Sequence, residues 1–231
     1  MSHASHRPPA PHRYLPVGDS MTVGRAGDHT WRYRLWRHLK ATATAPFALV
    51  GPRTALYGGG EHADPAFPEE ARGHLAGWGE GWQHLAPLVG DAVRDHRADT
   101  LLVSLGLIDL GFYTDAAQTT VNVHRFVDGA RAANPRVRMV LLPVLPNIRA
   151  ASDAPFAAEV AHFNELLAKT VASLTTPASP LLLTPPPPWS LPTHTYDGTH
   201  PTPAGDHHLA AAFANTLHTH WHTCAPYPAG C

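Results

Sequence analysis

Cysteine is nearly absent. The 231-residue chain has two, Cys224 and Cys231, both in the last ten residues. A bond between them would close a short terminal loop, so a disulfide framework is excluded as the source of stability. Charge is also sparse. Charged residues make up 15% of the chain and the formal net charge is −1. No basic excess marks a footprint for nucleic acid or a membrane surface. No apolar run approaches the roughly 18 residues that would cross a bilayer. The first eleven residues are polar, rich in proline and histidine, and lack an apolar signal core. A cytoplasmic location is therefore expected.

What is present is a globular composition, 44% hydrophobic, in a chain long enough for one well-buried core. We expect a disordered leader over residues 1–12, one domain over 13–222 and a tail over 223–231. Proline (24) and histidine (18) are both abundant. The prolines gather near the N-terminus, at Pro185 to Pro188 and in the last residues, as suits stiff loops. Many of the histidines should titrate between about pH 6 and 7.

Hydrophobic patterning predicts strands alternating with helices. Strands are expected at 13–17, 47–50, 100–105, 137–144 and 181–183. The run Thr100 to Leu105 is continuously apolar apart from its hydroxyl residues, as suits a strand covered on both faces. Helices are expected at 28–40, 82–96, 115–133, from Ser152 or Asp153 to about 174, and from Thr202 or Pro203 to about 221. Trp31, Trp36 and Trp82 belong to the core by their spacing. This alternation implies a three-layer α/β/α sandwich around a mostly parallel five-stranded sheet, flavodoxin-like in type. Residues 51–77 read as a long loop beside the site. Their triple glycine, Gly58 to Gly60, lacks the Lys-Ser/Thr of a phosphate cradle and reads as a flexible element.

Two short stretches carry the chemistry. Gly18-Asp19-Ser20 follows the first strand and opens a turn into a helix. A serine there projects from the carboxyl edge of a parallel sheet, where helix-start N–H groups point. Asp197-Gly198-Thr199-His200 precedes the last helix. Residues three apart at a turn can bring a carboxylate to Nδ1 and leave Nε2 free for Ser20. Together they supply a nucleophile, a base and an orienting acid. Read blandly, Ser20 caps a helix and Asp197 caps a turn; the pairing of the two stretches favours chemistry. The serine lacks the mid-chain Gly-x-Ser-x-Gly elbow of α/β-hydrolases.

With these motifs the chain resembles the SGNH hydrolases, the GDSL esterase/lipase family, over roughly residues 13–222. Gly18 to Gly24 resembles the first block of that family and Asp197 to Pro201 its last. His74-Leu75-Ala76-Gly77-Trp78 resembles the second. The resemblance implies Ser20 as nucleophile, His200 as base, Asp197 as its partner, and the N–H groups of Ser20 and Gly77 as oxyanion donors. The third block departs: Gly106-Leu107-Ile108-Asp109 has Ile108 where the family has an Asn donor. Asn147, after the 137–144 strand, is a candidate replacement. Asp109 reads as structural.

Trp78, Ile108, Asn147 and Trp189 are expected to contact substrate. The implied substrate is a small-molecule ester, thioester or other acyl compound, with no cofactor or metal. His218, His220 and His222 lack the companion ligands of a metal site. The expected activity is serine ester hydrolysis. Alternatives on the same scaffold are a biosynthetic acyltransferase or cyclase, and a binding protein with an idle triad.

Overall fold

The computed structural model describes residues 10–229. Six strands form one sheet among these residues: β1 (His12–Gly18), β2 (Phe47–Leu49), β3 (Leu75–Ala76), β4 (Thr100–Ser104), β5 (Arg138–Leu141) and β6 (Leu181–Leu183). The order is β2-β1-β4-β5-β6, with β3 pairing β1, and every pairing is parallel. The helices are α1 (Ser20–Val23), α2 (Thr30–Thr42), α3 (Trp82–Leu85), α4 (Val89–His96), α5 (Ala116–Ala133), α6 (Ile148–Ser152), α7 (Ala154–Leu174), α8 (Leu191–His194) and α9 (Pro203–Trp221).

Parallel strands need crossovers, and the long helices supply them. α2 packs on α9, while α5 packs on α4 and α7. The Trp31 ring of α2 stacks on Phe213 of α9 at 4.6 Å. Trp82 meets Phe126 of α5 edge-on at 5.1 Å. All five residues of β4 are buried, as a central strand with both faces covered requires. The helices start where the sequence offers caps. Asp115, Asp153 and Thr202 accept the N–H groups of Gln118, Phe156 and Gly205. None of the helices is long and apolar enough to cross a membrane, among the described residues.

Four expectations need correction. The 82–96 helix is two helices, because Pro87 lacks an N–H and crowds the preceding turn. The 51–77 loop contains β3, whose two residues are too few to show an alternating pattern. The expected five strands are therefore six. His12 already belongs to β1, so the folded domain takes in residue 12; the leader expected before it falls on residues 1–9, which with Gly230 and Cys231 lie outside the described residues.

β1 pairs with β4 in the register Gly18↔Ser104, so both strands end at one level. Beyond β4, Gly106 takes a φ of 126°, and a π-helical turn follows at Asp109–Tyr113. Asp109 is fully buried and accepts the N–H groups of Trp82 (2.9 Å) and Gln83 (3.2 Å), capping α3. A side chain at Gly81 would collide with this carboxylate. Burial pushes the Asp109 carboxyl up, and the two N–H groups oppose that. Asp109→Ala, which strands two buried donors, should cost about 2–4 kcal/mol of stability and Asp109→Asn less. Chemical denaturation checks the order; equal losses would mean that the caps contribute nothing.

Candidate active site

The first component is the turn after β1. Asp19 is buried and its carboxylate accepts the Met21 N–H at 2.9 Å, capping α1. A Cβ at Gly18 would collide with the Thr22 side chain and crowd the Ser104 carbonyl, so only glycine fits there. α1 ends at Gly24 with a φ of 70°. Its last carbonyls would be orphaned without Arg32, whose side chain is wholly buried. The guanidinium donates to the carbonyls of Thr22 (2.8 Å), Val23 (3.0 Å) and Arg72 (2.8 Å). Burial lowers its pKa to about 9, with Asp206 opposing, so it remains charged at neutral pH. The sequence reading missed Arg32. No local signal sets it apart, since Arg34 and Arg37 lie on the same helix.

The second component is the 197–200 turn, where Gly198 takes a φ of 84°. One oxygen of Asp197 accepts the N–H groups of Thr199 (3.0 Å) and His200 (2.8 Å). The other lies 2.7 Å from Nδ1 of His200, and Nε2 lies 3.0 Å from Oγ of Ser20. Partial burial alone would raise the Asp197 carboxyl. The His200 and Thr199 donors outweigh it and hold the group below its ordinary value. With Nδ1–H committed to Asp197, Nε2 can accept the serine proton. A hydroxyl, imidazole and carboxylate in this order can generate a serine nucleophile near neutral pH.

Aromatic rings brace the imidazole. Trp78 stacks on His200 at 4.5 Å with 22° between the planes, and Tyr57 stacks on Trp78 at 4.5 Å. Tyr196 also stacks on His200, at 5.7 Å, and the Arg25 guanidinium lies 4.1 Å over the Tyr196 ring. The segment before Trp78 is fastened by Arg53. Its guanidinium donates to the Ala76 carbonyl at 3.0 Å and pairs with both carboxylate oxygens of Glu80. The 51–77 segment is therefore tied down near the site, and Gly58 to Gly60 serve turns of positive φ.

A cavity of about 420 Å³ opens over Ser20. Ser20, Trp78, Ile108, Asn147 and His200 line it, together with Leu107, Phe112, Tyr113, Phe156 and Thr199. The last five were not expected from the sequence. Asn147 caps α6 by accepting the Ala150 N–H at 3.1 Å, and its amide donates to Thr199 Oγ1 at 3.4 Å. The Gly77 N–H donates to the Gly18 carbonyl at 3.3 Å, the long end of the range. Trp189 is absent from the cavity lining: the proline-rich loop lays it against the core, its ring 5.6 Å from His194. Among the described residues, no three His, Cys, Asp or Glu side chains converge to hold a metal. His218 instead bonds the Cys224 carbonyl through Nδ1.

The family model described as the GDSL-like lipase/acylhydrolase family matches residues 17–208. The chain belongs to that family. It is a serine-esterase-type enzyme, and a small-molecule ester is the class of substrate the family name implies. Solved structures share the fold. A family 3 carbohydrate esterase from Talaromyces cellulolyticus is 21% identical with a TM-score of 0.73; the match covers 89% of this chain and 96% of that one. An acetyl esterase mutant with an acetate ion is 20% identical with a TM-score of 0.72, over the same shares of the two chains. A lipase/acylhydrolase from Enterococcus faecalis is 12% identical with a TM-score of 0.66, covering 94% of this chain and all of that one. At these identities the likeness extends to the fold alone. No curated protein sequence matches the chain.

Beneath the serine, burial raises the Asp19 pKa to about 7, with the Met21 N–H opposing and Asp109 adding to the rise. The native state then keeps a proton that the unfolded chain, with a carboxyl near 3.9, releases. That contribution to stability is lost as pH rises from about 4 to 7. Asn can keep the cap without titrating. Relative to wild type, Asp19→Asn should therefore gain in melting temperature across this window by at least about 3 °C. A difference independent of pH would place the Asp19 proton elsewhere.

Proposed function

We propose that this enzyme hydrolyses carboxylic esters through an acyl-enzyme on Ser20. The observation that carries the reading is the unbroken chain from Ser20 Oγ through His200 to Asp197, with links of 3.0 and 2.7 Å, opening onto the cavity. Ser20 Oγ attacks the ester carbonyl carbon as its proton passes to His200 Nε2. Asp197 holds the imidazole in the tautomer this requires and stabilises the imidazolium. The C–O bond to the alcohol breaks, and the departing oxygen takes the proton from Nε2. Water then repeats the sequence: His200 accepts its proton, its oxygen bonds to the acyl carbon, and Ser20 regains its hydrogen as the acid leaves.

The oxyanion needs donors. The N–H groups of Ser20 and Gly77 serve in this reading, the Gly77 donor leaving its long bond to Gly18 for a better acceptor. Ile108 stands where the family has an Asn donor and offers none. Losing one such donor can cost roughly 100- to 1,000-fold in turnover. The Asn147 amide lines the same cavity and is the candidate replacement, since its bond to Thr199 is long and its carbonyl is already used in the cap.

Hydrolysis of p-nitrophenyl butyrate should fall roughly 10,000-fold or more in Ser20→Ala and in His200→Ala. A fluorophosphonate should label the wild type stoichiometrically and Ser20→Ala not at all. Retained hydrolysis and labelling in Ser20→Ala would remove Ser20 from the chemistry. Ile108→Asn should raise kcat on p-nitrophenyl acetate about tenfold. An unchanged or lower rate in a folded variant would mean that the site is complete with isoleucine.

A further inference from the structure

The cavity over Ser20 is far larger than an acetyl group needs, and its lining is more apolar than polar. Leu107, Ile108, Phe112 and Tyr113 come from the segment after β4, Phe156 comes from α7, and together they supply the apolar part of the lining. Phe112 and Tyr113 are 76% and 56% exposed, an unusual state for two adjacent large rings. The π-helical turn Asp109–Tyr113 presents both. It is anchored by the buried Asp109 carboxylate, so the rings sit on a rigid support. Elsewhere on the described surface, large exposed apolar side chains are few: Leu88 and Val121 lie apart, while Tyr57, Trp78, Ile148 and Tyr196 belong to segments around the site. A patch of this kind marks a binding surface.

Beyond the triad and the oxyanion donors, the polar groups of the cavity already have partners in the protein. Thr199 Oγ1 accepts the Asn147 amide. Arg149 lies 4.2 Å over the Phe156 ring, with Nη1 on the Gly111 carbonyl (2.8 Å) and Nε on Asp153 (3.2 Å). No carboxylate lines the cavity. A ligand rich in hydroxyls would find few partners here, whereas a hydrocarbon chain would lose nothing.

Taking Ser20 as the nucleophile, we infer that the cavity is an acyl-chain site, and that the enzyme's substrates are esters of medium-length or aromatic carboxylic acids. This rests on the function proposed above. In this proposal the departing oxygen faces His200 Nε2, which delivers its proton, and the acyl chain lies against the apolar lining of Leu107, Ile108, Phe112, Tyr113 and Phe156. Ile108 then has a role of its own: it supplies apolar wall where an Asn would place a desolvated amide.

The test is a series of p-nitrophenyl esters from acetate to dodecanoate, which holds the leaving group constant. kcat/KM should rise up to about fourfold per added methylene and peak between hexanoate and octanoate. Phe112→Ser, a change at an exposed position, should lower the octanoate-to-acetate ratio of kcat/KM about tenfold. A series of acetate esters with lengthening alcohols should stay within about threefold. An optimum at acetate, or a dependence on the alcohol instead of the acid, would overturn the inference while leaving serine chemistry intact. A further arm does not need turnover. N-methyloctanamide should bind the Ser20→Ala protein at least 30-fold more tightly than N-methylacetamide by calorimetry. Equal binding would overturn the inference. Loss of fluorophosphonate labelling in the wild type would instead overturn the serine reading.

Discussion

Strand β1 is paired along both edges. His12 to Tyr14 lie beside β2, Val17 and Gly18 beside β3, and Tyr14 to Gly18 beside β4. Neighbouring strands are about 4.8 Å apart, and these run in one direction. The turns that follow β1, β3 and β4 therefore leave the sheet side by side at one edge. That constraint sets Ser20, Trp78 and Ile108 around a common space. It is also where the strand order reverses, the place at which open parallel sheets form ligand crevices. Gly18 makes the close approach feasible, because any side chain there would strike Thr22.

The floor of the site is polar and buried, and its rigidity comes from satisfied hydrogen bonds. Asp19 caps one end of α1, Arg32 holds the other, and Asp109 caps α3. Burying such groups is costly when they are unpaired, and each is bound to backbone groups at a helix end. His74, also buried, bonds the Ala55 carbonyl, and burial with Arg32 nearby drives its pKa far below the imidazole range. The mouth of the site is the reverse: apolar, ring-lined and open to solvent. The contrast fits a reaction in which a fixed polar apparatus must meet an apolar acyl group.

Several features were legible in the sequence because their causes are local. The buried strands appear as apolar runs, and the helix starts as Asp115, Asp153 and Thr202. The two motifs around Ser20 and His200 are turns with their own chemistry. Other features were illegible for equally physical reasons. β3 is too short to carry a pattern. The break at Pro87 was overridden by apolar spacing that continues on both sides of it. Trp189 looked like a wall residue because it follows a proline-rich loop near the site, but where such a loop goes depends on what it packs against. Arg32 was invisible because the carbonyls it serves come from residues 22, 23 and 72.

By itself the sequence determined the strand and helix alternation, the caps and the local geometry by which Asp197 can orient His200. Those follow from interactions spanning a few residues. Only the tertiary structure decided that Ser20 and His200, 180 positions apart, meet within hydrogen-bonding distance. It also decided that Phe112, Tyr113 and Phe156 line one cavity and that Trp78 lies against the imidazole. The reason is the parallel sheet. Its register and crossovers choose which distant turns become neighbours, and no stretch of sequence contains that choice alone.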